Sequence, residues 1–297
     1  MFTLLWIPAT IAASFFQVGR NALQRGMMAS TGPWGATLVR FLFGLPFSIL
    51  FTAVAVWLVP NVEPRFTRAF WTAATTGALA QVLATASLLV AMHRAGFAVG
   101  TALQQSSLPL AAILGLIVYD DGMSGTAWIG IAVTTAGLAV LTWPTRQATG
   151  ERPISGALFG LLSGLCFGFS LNAFRHATLA LEPDHPAFSA LATVMIVQGM
   201  QAAVLTLVLV LRDPAAVRAI FRGWRQSVGA GLLGACASAA WFFALALSPA
   251  GPVRALGVIE APIAAIAGHR LFREKLHAKQ LLAGLAVIAG VVLTTLY

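Results

Sequence analysis

The chain has 297 residues, of which 59% are hydrophobic and only 9% are charged. Soluble globular domains carry about 25% charged residues, so this chain has too few charges to cover the surface of a soluble domain of its size. Its formal net charge is +9, but most Arg and Lys residues lie in short gaps between apolar runs and form no basic stripe. This distribution argues against a nucleic-acid partner and favours charges that meet a membrane surface.

Apolar runs long enough to cross a bilayer recur from one end of the chain to the other. A spanning helix needs roughly 20 mostly apolar residues, and turn-forming Gly, Pro and Asp residues separate the runs. The first run lacks a basic leader and is expected to be a retained helix. We predict an all-α integral membrane protein with ten transmembrane helices, at residues 2–24, 33–59, 69–93, 97–119, 125–143, 154–178, 186–211, 226–248, 252–272 and 278–296.

The two halves of the sequence resemble each other. A polar linker, residues 144–153, separates a first half, residues 1–143, from a second half, residues 154–297, and each half holds five predicted helices. A shift of 153 residues aligns the end of the first half with the end of the second, and it places Pro109 on Pro262. The sequence therefore predicts two copies of a five-helix repeat.

Because five is an odd number, the second repeat has to enter the membrane in the opposite orientation. The loop after the fourth predicted helix contains Asp120 and Asp121 and no basic residue. Equivalent loops with opposite charge bias are expected to face opposite sides of the membrane, and inverted repeats around a midplane site are a recurrent transporter architecture. The counterpart of the acidic loop contains Arg270, Arg273, Lys275 and Lys279.

The basic residues also bear on the orientation of the whole chain. The positive-inside rule would place the odd-numbered loops in the cytoplasm and both termini outside. Several of these arginines are equally compatible with positions inside helices, which leaves the orientation open. The odd-numbered loops hold Arg20, Arg25, Arg94, Arg146, Arg152, Arg212, Arg218, Arg222, Arg225, Arg270, Arg273, Lys275 and Lys279. The even-numbered loops hold Arg65, Arg68, Arg175 and Arg254.

The segment from Glu260 to Gly290 carries a recognisable pattern. It has a proline in the penultimate predicted helix, an acidic residue near the end of that helix, and a glutamine and glycines in the last helix. The segment resembles the end of an EamA-type repeat of the drug/metabolite transporter superfamily. The residues in question are Pro262, Glu274, Gln280, Gly284 and Gly290, and the first repeat has a weaker version from Pro109 to Gly137 with Asp121 at the acidic position.

This resemblance implies ten helices in inverted repeats, a central cavity and alternating access, often with proton-driven export of amino acids, metabolites or drugs. It also implies cytoplasmic termini, which is opposite to what the loop charges indicate. The related small multidrug transporters use a carboxylate in the first helix, a role that this chain cannot fill there. Its first predicted helix offers Gln17, Arg20, Asn21 and Gln24 instead.

Glu260 is the one acidic residue, of nine, that is predicted to lie in the middle of a membrane helix. A charge at the bilayer centre costs at least about 2.5–3.5 kcal/mol on insertion scales, so it calls for a function or a partner. We expect Glu260 to contact substrate and to bind a coupling proton. The alternative is a structural ion pair with Arg40 or Arg254, and one residue could serve both roles. Arg254 itself, near its helix start, is expected to snorkel to the interface.

Further polar side chains are predicted to line a substrate site within the membrane. Arg40 is suited to hold a carboxylate bidentately, with snorkelling as the alternative. Gln17 and Asn21 are four residues apart and share a helix face. For the glutamines and serines before Pro109 the alternative is hydrogen bonding between helices, and for the tryptophan it is packing or lipid contact. The remaining candidates are Gln81, Gln104, Gln105, Ser107, Asn172 and Trp241.

These features predict a secondary active transporter in the inner cell membrane. We expect it to export small metabolites, amino acids or drugs by alternating access, as a monomer or homodimer, with the lipid bilayer and a small-molecule substrate as its partners. A non-transport membrane protein, either an enzyme or an assembly factor, is the alternative. No metalloprotease or nucleophile-elbow motif and no P-loop occurs, so we expect no catalytic residue, cofactor or metal. Cys166 and Cys236 are expected to be packing residues.

Overall fold

The computed structural model describes residues 4–120, 122–142 and 153–273 of the chain. All regular secondary structure in these residues is helical, which confirms the all-α class. The helices are α1 (Trp6–Leu42), α2 (Leu45–Leu58), α3 (Arg68–Ala95), α4 (Phe97–Gln104), α5 (Ser107–Tyr119), α6 (Gly125–Thr142), α7 (Pro153–Leu181), α8 (Pro186–Arg212), α9 (Pro214–Arg222), α10 (Trp224–Leu247), α11 (Ala250–Gly257) and α12 (Glu260–Phe272).

Helices long and apolar enough to cross a membrane account for most of the described chain. Seven such stretches occur there, so the protein is a multi-pass membrane protein, and the count of ten helices stays a prediction. The stretches are Trp6–Leu58, Arg68–Ala95, Phe97–Val118, Ile154–Leu181, Pro186–Arg212, Trp224–Leu247 and Ala250–Phe272. Outside the described residues lie the tenth predicted helix (278–296), linker residues 144–152, Asp121, Arg146, Arg152, Glu274, Lys275, Lys279, Gln280, Gly284 and Gly290.

The first apolar stretch contains a sharp break at Gly32. Its backbone φ of 64° and ψ of 176° lie outside the helical region, and this positive φ is accessible to glycine because glycine has no Cβ. The following Pro33 has no N–H and disfavours a helical conformation for the residue before it. The break predicted before the second helix, which was expected to begin at residue 33, is therefore confirmed.

The predicted end of the first helix at residue 24 is wrong, because the chain stays helical through Thr31. Arg20 and Arg25 consequently lie inside α1 and do not belong to a loop. Arg20 is fully buried. A single polar stretch with two arginines does not end a helix by itself, and the first strong breaker after it is Gly32.

The described helices form two compact units. Unit 1 comprises Met1–Val82 and Ala173–Ser248, and unit 2 comprises Leu83–Asn172 and Pro249–Tyr297. Helices α3 and α7 contribute residues to both units. Each unit therefore takes residues from both halves of the sequence, and the spatial units do not coincide with the two predicted repeats.

Unit 1 is built around α10, which packs against α1, α2 and α8. Small residues on α10 allow backbones to approach closely, a common way of packing membrane helices. A Cβ added at Gly231 would clash with the Phe43 carbonyl and would lie 2.7 Å from the Gly44 nitrogen, which is closer than van der Waals contact. This glycine therefore lets α10 reach the junction between α1 and α2.

Unit 2 contains two broken helices with matching geometry. The first broken helix consists of α4 and α5, and the second consists of α11 and α12. The first and last residues of α4 lie 153 residues before those of α11, and the same offset relates α5 to α12. The two pairs also end alike, because Asp120 and Arg273 adopt left-handed conformations with φ of 54° and 55°. α4 packs on α12 and α5 packs on α11, so the two broken helices run antiparallel to each other.

Two prolines explain where these helices break. Pro109 cannot donate a hydrogen bond to the carbonyl of Gln105, and Pro262 cannot donate to the carbonyl of Val258, because proline has no N–H. The Gln105 carbonyl accepts instead from the Leu108 N–H at 2.9 Å, and the Val258 carbonyl accepts from the Ala261 N–H at 2.9 Å. These bonds span three residues and tighten the chain into a 3₁₀-like turn at the same position of both helices.

Gly231→Ala is expected to lower the stability of unit 1, because the new methyl group would meet backbone atoms that cannot rotate away. Overpacking of this kind costs about 1–3 kcal/mol. Gly229→Ala is the matched control on the same helix, since its Cβ would lie 3.4 Å from the flexible end of Leu23. The thermal unfolding midpoint of the purified protein in detergent would test this, and equal midpoints for the two variants would contradict it.

Candidate functional site

A buried ion pair connects the two halves of the second broken helix. Arg254 Nη1 lies 3.3 Å from Glu260 Oε1, and the two side chains are 2% and 0% exposed. Six residues along a regular helix turn by about 600°, which leaves two side chains roughly 120° apart around the helix axis. The turn at residues 258 and 259 therefore brings Arg254 of α11 and Glu260 of α12 together, where a continuous helix would separate them.

Two residues from the first broken helix complete the arrangement. The Gln105 side chain donates from Nε2 to Glu260 Oε2 at 3.3 Å and accepts from Arg254 Nη2 through its own Oε1. Ser107 Oγ accepts from Arg254 Nε at 2.6 Å. We call Gln105, Ser107, Arg254 and Glu260 the crossing network, since they lie at the turns of two antiparallel helices. Within the network the guanidinium group donates three hydrogen bonds and the carboxylate accepts two.

This geometry shows which arginine forms the ion pair with Glu260. Glu260 does lie within an apolar span, and its ion-pair partner in unit 2 is Arg254. The expectation that Arg254 snorkels to the interface is wrong. The fifth residue of a half-helix is close to a loop in sequence, but α11 enters the packed interior of unit 2, where the guanidinium group finds three acceptors.

The other two candidates in unit 2 lie outside the crossing network. Asn172 donates from Nδ2 to the carbonyls of Ala111 and Gly168, both at 3.0 Å, so it ties α7 to α5. Gln104 is buried at 1% exposure. Its Oε1 has no hydrogen-bond partner among the described residues, a condition that is uncommon for a buried polar atom and calls for an explanation.

Unit 1 holds a second polar cluster around two buried arginines. Arg20 donates from Nη2 to Asn21 Oδ1 at 2.7 Å, and Arg40 donates from Nη2 to Ser238 Oγ at 3.3 Å. A Cβ added at Gly234 would lie 3.1 Å from Arg40 Cγ and 3.3 Å from Arg20 Cδ. Both side chains therefore pass over the same glycine of α10.

Gln17 and Trp241 are joined directly in unit 1. The Trp241 indole donates from Nε1 to Gln17 Oε1 at 3.0 Å, which links α1 to α10. The indole is only 6% exposed. Of the alternatives raised by the sequence for Trp241, extensive lipid contact is therefore wrong, and the residue packs with its polar atom bonded.

Gln81 is hydrogen-bonded to a glutamine that was not among the predicted site residues. Gln201 of α8 donates from Nε2 both to Gln81 Oε1 and to the Ala78 carbonyl, each at 3.0 Å. Gln198, three residues earlier, donates to the Arg40 carbonyl at 3.0 Å and accepts from the Ser48 hydroxyl. Two glutamines three apart on one face of an apolar helix were a visible signal of such a role.

Arg175 was also misassigned, since it lies inside α7 and not in a loop. Its Nη1 donates to the carbonyls of Leu245 and Ser248 at 2.6 Å and 2.8 Å. These carbonyls belong to the C-terminal end of α10, where a positive charge is favourable. Arg175 therefore caps α10 and does not report on membrane orientation.

Comparison with known proteins adds a family match over the second half of the chain and a fold. Residues 154–296 match the EamA-like transporter family. A solved structure titled "Crystal structure of protein" is 18% identical in sequence and superposes with a TM-score of 0.68, over 99% of this chain and 95% of that chain. At this identity the likeness shows the fold alone. No curated protein matches the sequence.

The crossing network predicts strong energetic coupling between Arg254 and Glu260. Arg254→Met or Glu260→Leu alone would leave a buried charge, at a cost of about 3–5 kcal/mol, whereas the double variant removes both charges and should be far less destabilised than the sum. Unfolding of the four proteins in detergent micelles measures this coupling. The pair His185–Glu182, in which the His185 side chain is 46% exposed, is the control, with a coupling of about 0–1 kcal/mol. Additive effects at Arg254 and Glu260 would contradict the prediction.

Proposed function

We propose that this chain, whose residues 154–296 match the EamA-like transporter family, is a secondary active transporter. It exports small metabolites, amino acids or drugs by alternating access, from a position in the inner cell membrane, as a monomer or homodimer. Seven apolar spans in the described residues support a protein that works within the bilayer. The crossing network is the observation that supports the proposal most strongly.

Charged groups inside a membrane are costly, and where they are kept they mark pathways for substrates, ions or protons. The crossing network holds an arginine and a glutamate of the second broken helix against the turn of the first. Broken helices at membrane depth are tolerated where protein or a cavity surrounds them, and they form the sites of many secondary transporters. The antiparallel packing of the two broken helices also supports the predicted inverted repeats.

Proton coupling is assigned to Glu260. A proton on this carboxylate removes its negative charge and therefore weakens the contact with Arg254. Gln105 and Ser107 can keep the guanidinium group in place in either state, because both are uncharged acceptors. The two protonation states thus differ in which side chains hold Arg254, and a substrate that competes for Arg254 or Glu260 would shift the balance between them.

Substrate contacts are assigned separately in each unit. In unit 1 the proposal keeps Arg40 as a bidentate site for a carboxylate, and it adds Arg20, which lies beside it. In unit 2 it adds Arg254. The sequence-based candidates that remain proposed substrate contacts are Gln17, Asn21, Gln81 and Trp241 in unit 1, and Gln104, Gln105, Ser107, Asn172 and Glu260 in unit 2.

An untargeted comparison of small molecules in the medium tests the proposal. Cells would express the wild type, Glu260→Gln, Glu63→Gln or an empty vector, at matched levels of membrane-inserted protein. We expect at least one metabolite to accumulate with the wild type and with Glu63→Gln, whose side chain is exposed in a loop. We expect no accumulation with Glu260→Gln, because an amide cannot take up and release a proton.

The pH dependence of export provides a second readout for the same variants. Export by the wild type and by Glu63→Gln should respond to the proton gradient, and any residual export by Glu260→Gln should not. An unchanged pH dependence in Glu260→Gln would remove this residue from the coupling mechanism. If the media of all four strains contained the same small molecules in equal amounts, the result would count against export and in favour of uptake or a non-transport role.

A further inference from the structure

Helix α9 was not predicted from the sequence, and it lies between two membrane spans. One residue, Asp213, separates α8 from α9, and one residue, Gly223, separates α9 from α10. Both α8 and α10 are long and apolar enough to cross the membrane. With connections this short, α9 has to lie where the two spans end, which is the boundary between the bilayer and water.

The inner face of α9 is anchored in unit 1. Ala216 and Ile220 are 4% and 0% exposed, and Val217 is partly buried. Ile220 belongs to a hydrophobic cluster that includes Met27 and Leu38 of α1 and Leu205 and Leu209 of α8. The helix is therefore held in one rotational setting, and its opposite side faces outward.

The outward side combines positive charge with large aromatic rings. Phe221 and Trp224 are 56% and 55% exposed, and the Arg225 guanidinium carbon lies 5.6 Å from the Trp224 ring centroid. Arg218 and Arg222 are exposed beside them. We call Arg218, Phe221, Arg222, Trp224 and Arg225 the basic-aromatic face.

The charge around this face is strongly one-sided. Four arginines and one acidic residue occur between residues 212 and 225. The acidic residue, Asp213, accepts a hydrogen bond from the Ala216 N–H at 3.0 Å and so caps the start of α9. Its carboxylate is therefore occupied at the opposite end of the helix from Arg222 and Arg225.

We propose that the basic-aromatic face binds the headgroups of anionic phospholipids in the surrounding bilayer. Guanidinium groups match phosphate oxygens in a bidentate geometry, and tryptophan rings favour the headgroup level of a membrane. A helix with arginines on its polar side and aromatic residues beside them binds anionic interfaces more strongly than neutral ones. The headgroup of a neutral phospholipid carries its own cation, which the three arginines of this face do not complement.

The proposal also assigns a side of the membrane to α9. Anionic lipids give the cytoplasmic leaflet its negative surface potential, so the basic-aromatic face lies in the cytoplasm. This agrees with the positive-inside rule, since Arg212, Arg218, Arg222 and Arg225 all belong to one odd-numbered predicted loop. It is opposite to the orientation that cytoplasmic termini would give. The proposal requires only that the chain is inserted in a membrane, and therefore does not depend on the proposed transport function.

Quenching of Trp224 fluorescence by brominated lipid tests the proposal directly. The full chain would be reconstituted in phosphatidylcholine vesicles containing the same mole fraction of either brominated phosphatidylglycerol or brominated phosphatidylcholine. Subtracting the signal of Trp224→Phe isolates the contribution of Trp224. We expect stronger quenching by the brominated anionic lipid. High ionic strength should weaken this preference, because it screens exposed charges.

The triple variant Arg218→Gln/Arg222→Gln/Arg225→Gln should lose the preference for the anionic lipid. Each arginine near an anionic surface contributes about fivefold to binding, so the loss is expected to exceed tenfold. The control is Arg65→Gln/Arg68→Gln, which neutralises two exposed arginines at and just before the start of α3 and should keep the preference. Equal quenching of wild-type Trp224 by the two lipids would overturn the proposal without reference to any variant, and so would a preference that survives in the triple variant.

Labelling in intact cells tests the assigned side. Gln226→Cys, in a background with Cys166 and Cys236 replaced by serine, would carry an exposed thiol next to Arg225. A maleimide that cannot cross membranes should label this cysteine only after the cells are opened. Labelling in intact cells would place α9 on the outer surface and overturn the cytoplasmic assignment.

Discussion

The missing N–H of two prolines sets the geometry on which unit 2 depends. Pro109 and Pro262 each withhold the hydrogen bond that would continue a helix, and each preceding carbonyl takes a bond from three residues on instead. The resulting turns change the direction in which the neighbouring side chains point. Without them, Arg254 and Glu260 would lie on different sides of one continuous helix. The ion pair is therefore a consequence of a backbone break.

The crossing network shows how a membrane protein keeps charges that are expensive to bury. A lone carboxylate or guanidinium group would be destabilising in an apolar span, but here the two charges hold each other. Gln105 bonds to both of them, and Ser107 bonds to the guanidinium group. A fully satisfied buried network of this kind specifies one arrangement of the helices. In unit 1 neutral amides have the same effect on a smaller scale, since Gln198 ties α8 to α1 and Gln201 ties α8 to α3.

At positions related by the offset of 153 residues, the two broken helices carry different kinds of polar side chain. At this offset Ser107 corresponds to Glu260, and Thr101 corresponds to Arg254. The first broken helix therefore supplies neutral hydrogen-bonding groups where the second supplies charges, although their backbones break at the same place. The family match covers residues 154–296. The two charged residues of the crossing network, Arg254 and Glu260, lie in that region but bond to Gln105 and Ser107 of the other half.

The sequence alone was sufficient to establish the class of protein and the position of most of its helices. Few charges and long apolar runs leave only a helical membrane protein, and glycine and proline break helices through local sterics, so Gly32 could be located without a structure. Glu260 was recognisable because a carboxylate is rare in an apolar span. These features depend on composition and on neighbouring residues along the chain.

Only the tertiary structure decided which side chains meet. Membrane helices are apolar on nearly every side, so hydrophobic periodicity does not reveal the buried face, and the burial of Arg20 and Arg254 could not be inferred from it. The partner of Glu260 depended on a turn that redirects two side chains six residues apart. The outward face of α9 likewise depended on Ile220 packing against distant helices. Such contacts join residues far apart in the chain, and local sequence carries no information about their distances.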